Sequence, residues 1–299
     1  MPRPHHGVHG MATTLALLLV TSASAGPLPD DPQQRRCWLD NTAARTAVDL
    51  REPTAVRFSN LRNGDVVRSP LWVEFGIRGM GVIPAGNPNP RAGHHHMLVD
   101  TPLPLNYQDK IPFSDTYKHF GKGQTGTLLE LKPGKHTLRL LFADHDHRPY
   151  FVYSPELTIT VSGPRSDPAP VIDANRFEAT CAAWYADERS APHGTAKEVY
   201  VKNIRDREPV ASPFNVSLGV VGWGVAPAGS TVKDSGHFAI AITRAGAPVS
   251  RSVLSDGRTE TILDLPRGDH EIEVSLLDPQ GAVLIKGAPV HVTVTRQSP

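Results

Sequence analysis

Two stretches of this chain place apolar residues at every second position, and they do so in step. Leu138, Leu140 and Phe142 alternate with Thr137, Arg139 and Leu141, and Ile272, Val274 and Leu276 alternate with Glu271, Glu273 and Ser275. A period of two marks a strand with one buried face, and the more polar second run settles which face that is. Similar runs predict strands near 55–60, 70–78, 94–100, 125–131, 136–144 and 156–162. Turn residues punctuate them, with 28 prolines and 25 glycines in 299 residues, and long helical periodicity is scarce. Short strands with regular turns predict an all-β protein built of immunoglobulin-like antiparallel β-sandwiches.

There are two such sandwiches in tandem. Val56, Ser69-Pro70 and Gly93-His94 reappear as Val199, Ser212-Pro213 and Gly236-His237, all 143 positions later. Further on, Thr125, Thr127, Gly134 and His136 match Thr259, Thr261, Gly268 and His270 at an offset of 134. The first copy therefore carries a loop nine residues longer, around Leu103 to His119. Gly79-Met80-Gly81-Val82-Ile83-Pro84-Ala85-Gly86 is echoed by Gly222-Trp223-Gly224-Val225-Ala226-Pro227-Ala228-Gly229. The expected divisions are a signal peptide (1–25), a segment with Cys37 (26–51), a histidine-rich module (52–163), a linker with Cys181 (164–195) and a degenerate second module (196–296).

The start of the chain reads as an address. Arg3 precedes the apolar run Leu15 to Val20, and Ala23-Ser24-Ala25 has the form of a cleavage site. No stretch is long enough to predict a transmembrane span. The expected location is the periplasm or the exterior. In that oxidising setting Cys37 and Cys181 are expected to form a disulfide, with two free thiols as the alternative. A net charge of +1 gives no electrostatic footprint for nucleic acid.

Candidate chemistry lies in the histidines. Phe238, Ile240 and Ile242 are the apolar set of the second copy, so His95, Met97 and Val99 should face the core while His94 and His96 project from the other face. If 94–100 and 136–144 are neighbouring antiparallel strands, the start of one lies beside the end of the other. His94, His95 and His96 then approach His145 and His147, and the segment holding His119 reaches the same rim. The second copy has Phe238, Ala239, Val253, Pro279 and Gly281 near the places of His95, His96, His119, His145 and His147. The fold does without them, which marks them as residues of a site. His94 and His136 persist as His237 and His270. His136, at the opposite end near Asp100, is expected to be a structural corner residue, in the place where such domains often carry a tyrosine.

Neutral imidazoles ligate copper and zinc, and the candidate metal set is His94, His95, His96, His119, His145 and His147. A copper ion is favoured by the nitrogen-rich donors and by affinity order, with zinc as the alternative. Asp144 and Asp146 are candidates to orient the rings. No acid, base or nucleophile with a nameable partner is evident, so a catalytic role is the weaker expectation. The competing reading is a non-catalytic module recognising cell-wall sugar or a periplasmic protein partner, with Tyr107, Tyr117, Phe120, Tyr150, Phe151 and Tyr153 near the rim as contacts.

Taken together, Gly79–Gly86, Gly93–Asp100, Gly123–Thr125, Pro133–Leu138 and Asp144–Pro149 resemble a bacterial exported domain family of unknown function. Its pattern runs G-M-G-V-x-P-A-G, G-H-H-H-x-L-x-D, G-Q-T, P-G-x-H-x-L and D-H-x-H-x-P. Where that family often has a further histidine after the last proline, this chain has Tyr150. The resemblance implies export and a histidine-rich β domain, and it supplies no reaction.

Overall fold

The computed structural model describes residues 26–103, 106 and 108–297. The expected signal peptide lies outside them, as does Tyr107. Two β-sandwiches follow one another. The first contains β1 (Ala55–Phe58), β2 (Val66–Ser69), β3 (Leu71–Arg78), β4 (Gly81–Val82) and β5 (Ala92–Val99). It continues through β6 (Tyr117–Phe120), β7 (Gly126–Leu129), β8 (Gly134–Ala143), β9 (Pro149–Tyr153) and β10 (Leu157–Pro164). One sheet has the order β1-β3-β7 and the other β2-β10-β8-β5-β4, with β6 added to β5 and β9 to β8. The second module repeats this order strand for strand between Glu198 and Gln297.

The expected pairing holds: β5 and β8 run antiparallel with His94 opposite Ala143 and Val99 opposite Leu138. The expected face holds as well, since Met97, Val99, Leu138, Leu140 and Phe142 are all in the core. One apolar cluster runs through both modules, including Phe75 and Ile77 of the first and Phe214 and Leu218 of the second.

What joins the modules is the glycine motif they share. A Cβ on Gly81 would overlap the Asp256 carbonyl oxygen, and one on Gly224 would overlap that of Lys122. The next amides reach across as well, Val82 N to Gly257 O and Val225 N to Gly123 O, each at 2.8 Å. Each copy thus presses its second motif glycine against a loop of the other, at a distance only a missing side chain allows.

The connecting segments are helical. Asp31 caps α1 (Pro32–Asp40) by accepting from the amides of Gln33 and Gln34, with proline at the first helical position. A second helix, α2 (Thr42–Arg45), follows, and the stretch read as a linker carries α3 (Phe177–Arg189). The two sets of helices cross. Trp38 donates its indole N–H to Glu208 of the second module at 2.9 Å, and Arg45 pairs with the same carboxylate. In return, Asp187 and Arg189 of α3 pair with Arg68 and Asp65 of the first module, at 2.7 and 3.0 Å. Each helical segment docks on the module that does not follow it.

Cys37 of α1 and Cys181 of α3 form the expected disulfide. The bond closes a loop of 144 residues, for which chain entropy predicts about 5 kcal/mol of stabilisation as an upper bound. A Cys37→Ser/Cys181→Ser variant should lose about 2–5 kcal/mol in urea unfolding. A loss below about 0.5 kcal/mol would mean that the helices hold without it.

Candidate metal centre

The alternation of β5 sorts its three histidines. His95 points inward between Phe75 and Phe142, with ring centroids 5.1 and 4.9 Å away. Burial pushes its pKa well below the ordinary value near 6.5, with Lys202 adding to the effect. It is a core residue, and the structure does not bring it to the group on the other face. His94 and His96 project there together, their Nε2 atoms 3.0 Å apart.

The edge of β5 changes partner at this point. Short β4 pairs with Ala92 and Gly93, and β6 takes over from His95 to Leu98. The second pairing sets His119 directly opposite His96. His147 enters from the turn after β8. Ring centroids of His94, His119 and His147 lie 4.9 to 5.1 Å apart, and His96 lies 5.0 Å from His119. His94, His119 and His147 each offer a ring nitrogen, all within 4.8 Å of one another.

The turn that carries His147 has a twin. Asp144 Oδ1 accepts from the amides of Asp146 and Arg148, as Asp278 Oδ1 accepts from Gln280 and Ala282 in the second module. Asp144 therefore builds the turn, and Asp146 pairs with Lys110, so neither carboxylate bonds a ring as the sequence suggested. His147 adopts a φ of 67°, and its counterpart Gly281 a φ of 93°. This left-handed conformation suits glycine and strains other residues. The first module accepts that strain and gains an imidazole. His145, two residues earlier, is exposed, and the structure leaves it outside the group.

Burial first, and then repulsion from His119 and His147, pushes the His94 pKa down to about 3. His96 goes down to about 2 and His119 is also lowered, with burial again the leading cause. At neutral pH these rings are uncharged, the state in which imidazole ligates metal, and a cation would replace the hydrogen bond that the Nε2 atoms of His94 and His96 share. Nδ1 of His94 and of His96 and Nε2 of His119 are buried without a hydrogen-bond partner. Buried polar atoms are rarely left so. Nδ1 of His95 in the core and of His237 in the second module is left in the same way, so the convergence of rings, and not an orphaned atom, is what suits a transition-metal cation, whose bonds of about 2.0–2.1 Å would draw the rings slightly together.

Two residues of the site escaped the sequence reading. Phe113, in the longer loop, stacks on His119 with centroids 4.5 Å apart and meets His147 edge-on at 5.0 Å. That loop is tied down by Ile111 N donating to His147 O at 2.9 Å. Gly121 lies so close to His119 that a Cβ would overlap the ring. The aromatics singled out in sequence scatter instead: Phe120 packs on Phe75, and Tyr150 packs near Phe142 while donating to Ala92 O. His136 is the corner residue expected, bonded to Asp100 Oδ2 at 2.7 Å and Lys132 O at 2.8 Å. Burial opposes its charge, and the Asp100 carboxylate outweighs that and raises its pKa.

A family described as a domain of unknown function, DUF4399, matches residues 73–162 and again 216–295. The chain belongs to the DUF4399 family. Both copies fall on the sandwiches, and the first DUF4399 match contains the whole histidine group. No curated protein matches the chain. Among solved structures, it is similar to fibronectin(III)-like modules of CbhA from Clostridium thermocellum: 11% identity, 81% of this chain, 94% of that one, TM-score 0.24. The FN1–FN3 domains of chicken CNTN1 show 9% identity over 83% of this chain and 67% of theirs, with a TM-score of 0.23. A two-domain fibronectin type III segment of chicken tenascin shows 12% identity over 80% and 97%, with a TM-score of 0.19. Scores this low add nothing to the paired sheets, from which the DUF4399 modules are read as tandem immunoglobulin-like sandwiches. Among the described residues no helix is long and apolar enough to cross a membrane.

Proposed function

We propose that this is an exported transition-metal-binding protein whose first module holds the ion through His94, His96, His119 and His147. The observation that carries the reading is the meeting of three imidazole nitrogens within 4.8 Å. Copper is favoured over zinc. The donors are all imidazole, with neither thiolate nor carboxylate among them, and copper(II) binds nitrogen sites more tightly than zinc does. Phe113 packs against one side of the group, on His119 and His147. Export is supported by the disulfide, which suits an oxidising compartment, and by the apolar stretch Leu15–Val20.

Metal content by mass spectrometry tests the proposal, on protein without a histidine tag exposed to copper and zinc at equal concentration. About one equivalent of copper is expected, absent from a His96→Ala/His119→Ala/His147→Ala variant with unchanged circular dichroism. Zinc in its place would reassign the metal. A metal-free wild type would overturn the proposal and favour recognition of a sugar or protein at the same rim.

A further inference from the structure

The two modules are related by an internal pseudo-symmetry, and the two grooves it generates between them differ. In one, His193 fills the space, with its ring 4.8 Å from Trp72 and 4.5 Å from Tyr200. Tyr200 also donates to the buried Glu74 carboxylate at 3.0 Å. The positions 143 residues away from Trp72, Glu74 and Tyr200 are Asn215, Ser217 and Arg57, and the place of His193 falls at Asp49–Leu50. None of these residues carries an aromatic ring, and the second groove stays open, as a cleft of about 1010 Å³. The fold can close this groove with aromatic rings, so the open one is a choice of residues and not a demand of the architecture.

The cleft is rich in guanidinium groups, seven arginines against four carboxylates. Arg57 and Arg258 pair with Glu260 and Asp256 in its lining, and Arg45 and Arg189 pair with Glu208 and Asp65. The guanidinium groups of Arg62, Arg78 and Arg91 form no ion pair within 4 Å among the described residues, though Asp49 lies near enough to Arg78 to feel its charge. Arg78 donates to the carbonyls of Asp49 and Glu52, and Arg62 to the Asn41 side chain. Ser59 Oγ in the wall is buried without a partner, and the Asn215 side chain donates to Ser217 beside it. Its volume is that of a ligand site, and guanidinium forks match the two-oxygen edge of carboxylate and phosphate groups.

We propose that this cleft binds an organic oxyanion bearing carboxylate or phosphate groups, independently of the histidine centre. The motif glycines lead from one to the other: Gly79 and Gly81 line the cleft, while Ala85 N and Gly86 N bond Gly121 O and His145 O beside the histidines.

Calorimetry on metal-free full-length protein at low ionic strength tests this, with tricarballylate, inorganic pyrophosphate and a neutral trisaccharide as probes. One-to-one binding of at least one anion is expected, weakened about tenfold or more in Arg62→Gln/Arg91→Gln. The same affinity is expected in the His96→Ala/His119→Ala/His147→Ala variant. Tighter binding of tricarballylate would name the carboxylate class, and tighter binding of pyrophosphate the phosphate class. Failure of both anions to bind at about 1 mM would overturn the proposal, as would equal binding by the arginine variant or binding lost in the histidine variant. Preference for the trisaccharide would overturn it too. Arg62 and Arg91 are exposed, so the variant should fold, and an unchanged melting temperature verifies that.

Discussion

Alanine at Gly81 should destabilise the whole protein by about 3 kcal/mol or more, and alanine at Gly224 by a similar amount. In each case the new methyl group meets a backbone carbonyl of the other module, which cannot rotate away as a side chain would. The modules must part or the strand must shift, and either change disturbs the core they share. Gly86, in the same motif, is the control. It has a φ of 80° but open space around its Cα, so Gly86→Ala should cost only about 1 kcal/mol of backbone strain. Urea midpoints for the three variants at constant slope decide the matter. Equal losses at Gly81 and Gly86 would show that conformation, and not contact between modules, explains the motif.

The second large effect separates stability from binding at one residue. His147→Gly installs the residue that the second module uses at the same turn. It should raise the stability of the metal-free protein by about 1 kcal/mol, because the left-handed conformation no longer costs strain. The same change removes one of the three converging nitrogens and should lower metal affinity by about a hundredfold or more. Chemical unfolding without metal and competition titration with a copper chelator measure the two effects. If stability falls, the strain is absent; if affinity holds, His147 is no ligand.

Much of the fold was legible because the chain states it twice. Polar substitutions in the second copy exposed which face of each strand is core, and the offsets of 143 and 134 aligned the strands that pair. Even the counterpart of His119 could be read, since Ala239 pairs with Val253 as His96 pairs with His119. The face of His95 was legible too, yet its place in a run of three made it look like part of the set.

What stayed hidden has no repeat or no period. Phe113 lies in the loop without a counterpart, and no alternation orients it. His145 and His147 sit in a turn, where residues two apart need not share a face; a left-handed backbone sends one ring inward and leaves the other exposed. The glycine motif was visible as a pattern, but its cause is contact between distant segments, which a linear sequence does not display. The crossing of the helices was equally out of reach, because its ion pairs join positions that look like ordinary surface charges and its other bonds run through the backbone or a single indole.

That crossing bears on how such a chain can be divided. The amide of Trp72 in the first module bonds Ser190 O beyond α3, and the amide of Asn215 in the second bonds Thr46 O beyond α2. Cutting at the boundary of the sequence repeat would give each half the helix that belongs to its sibling and deprive it of its own. A lone helix-plus-sandwich unit would lack the helix that packs on its own sheets, so each half of this chain completes the other. The segment that is duplicated and the body that folds are different objects here.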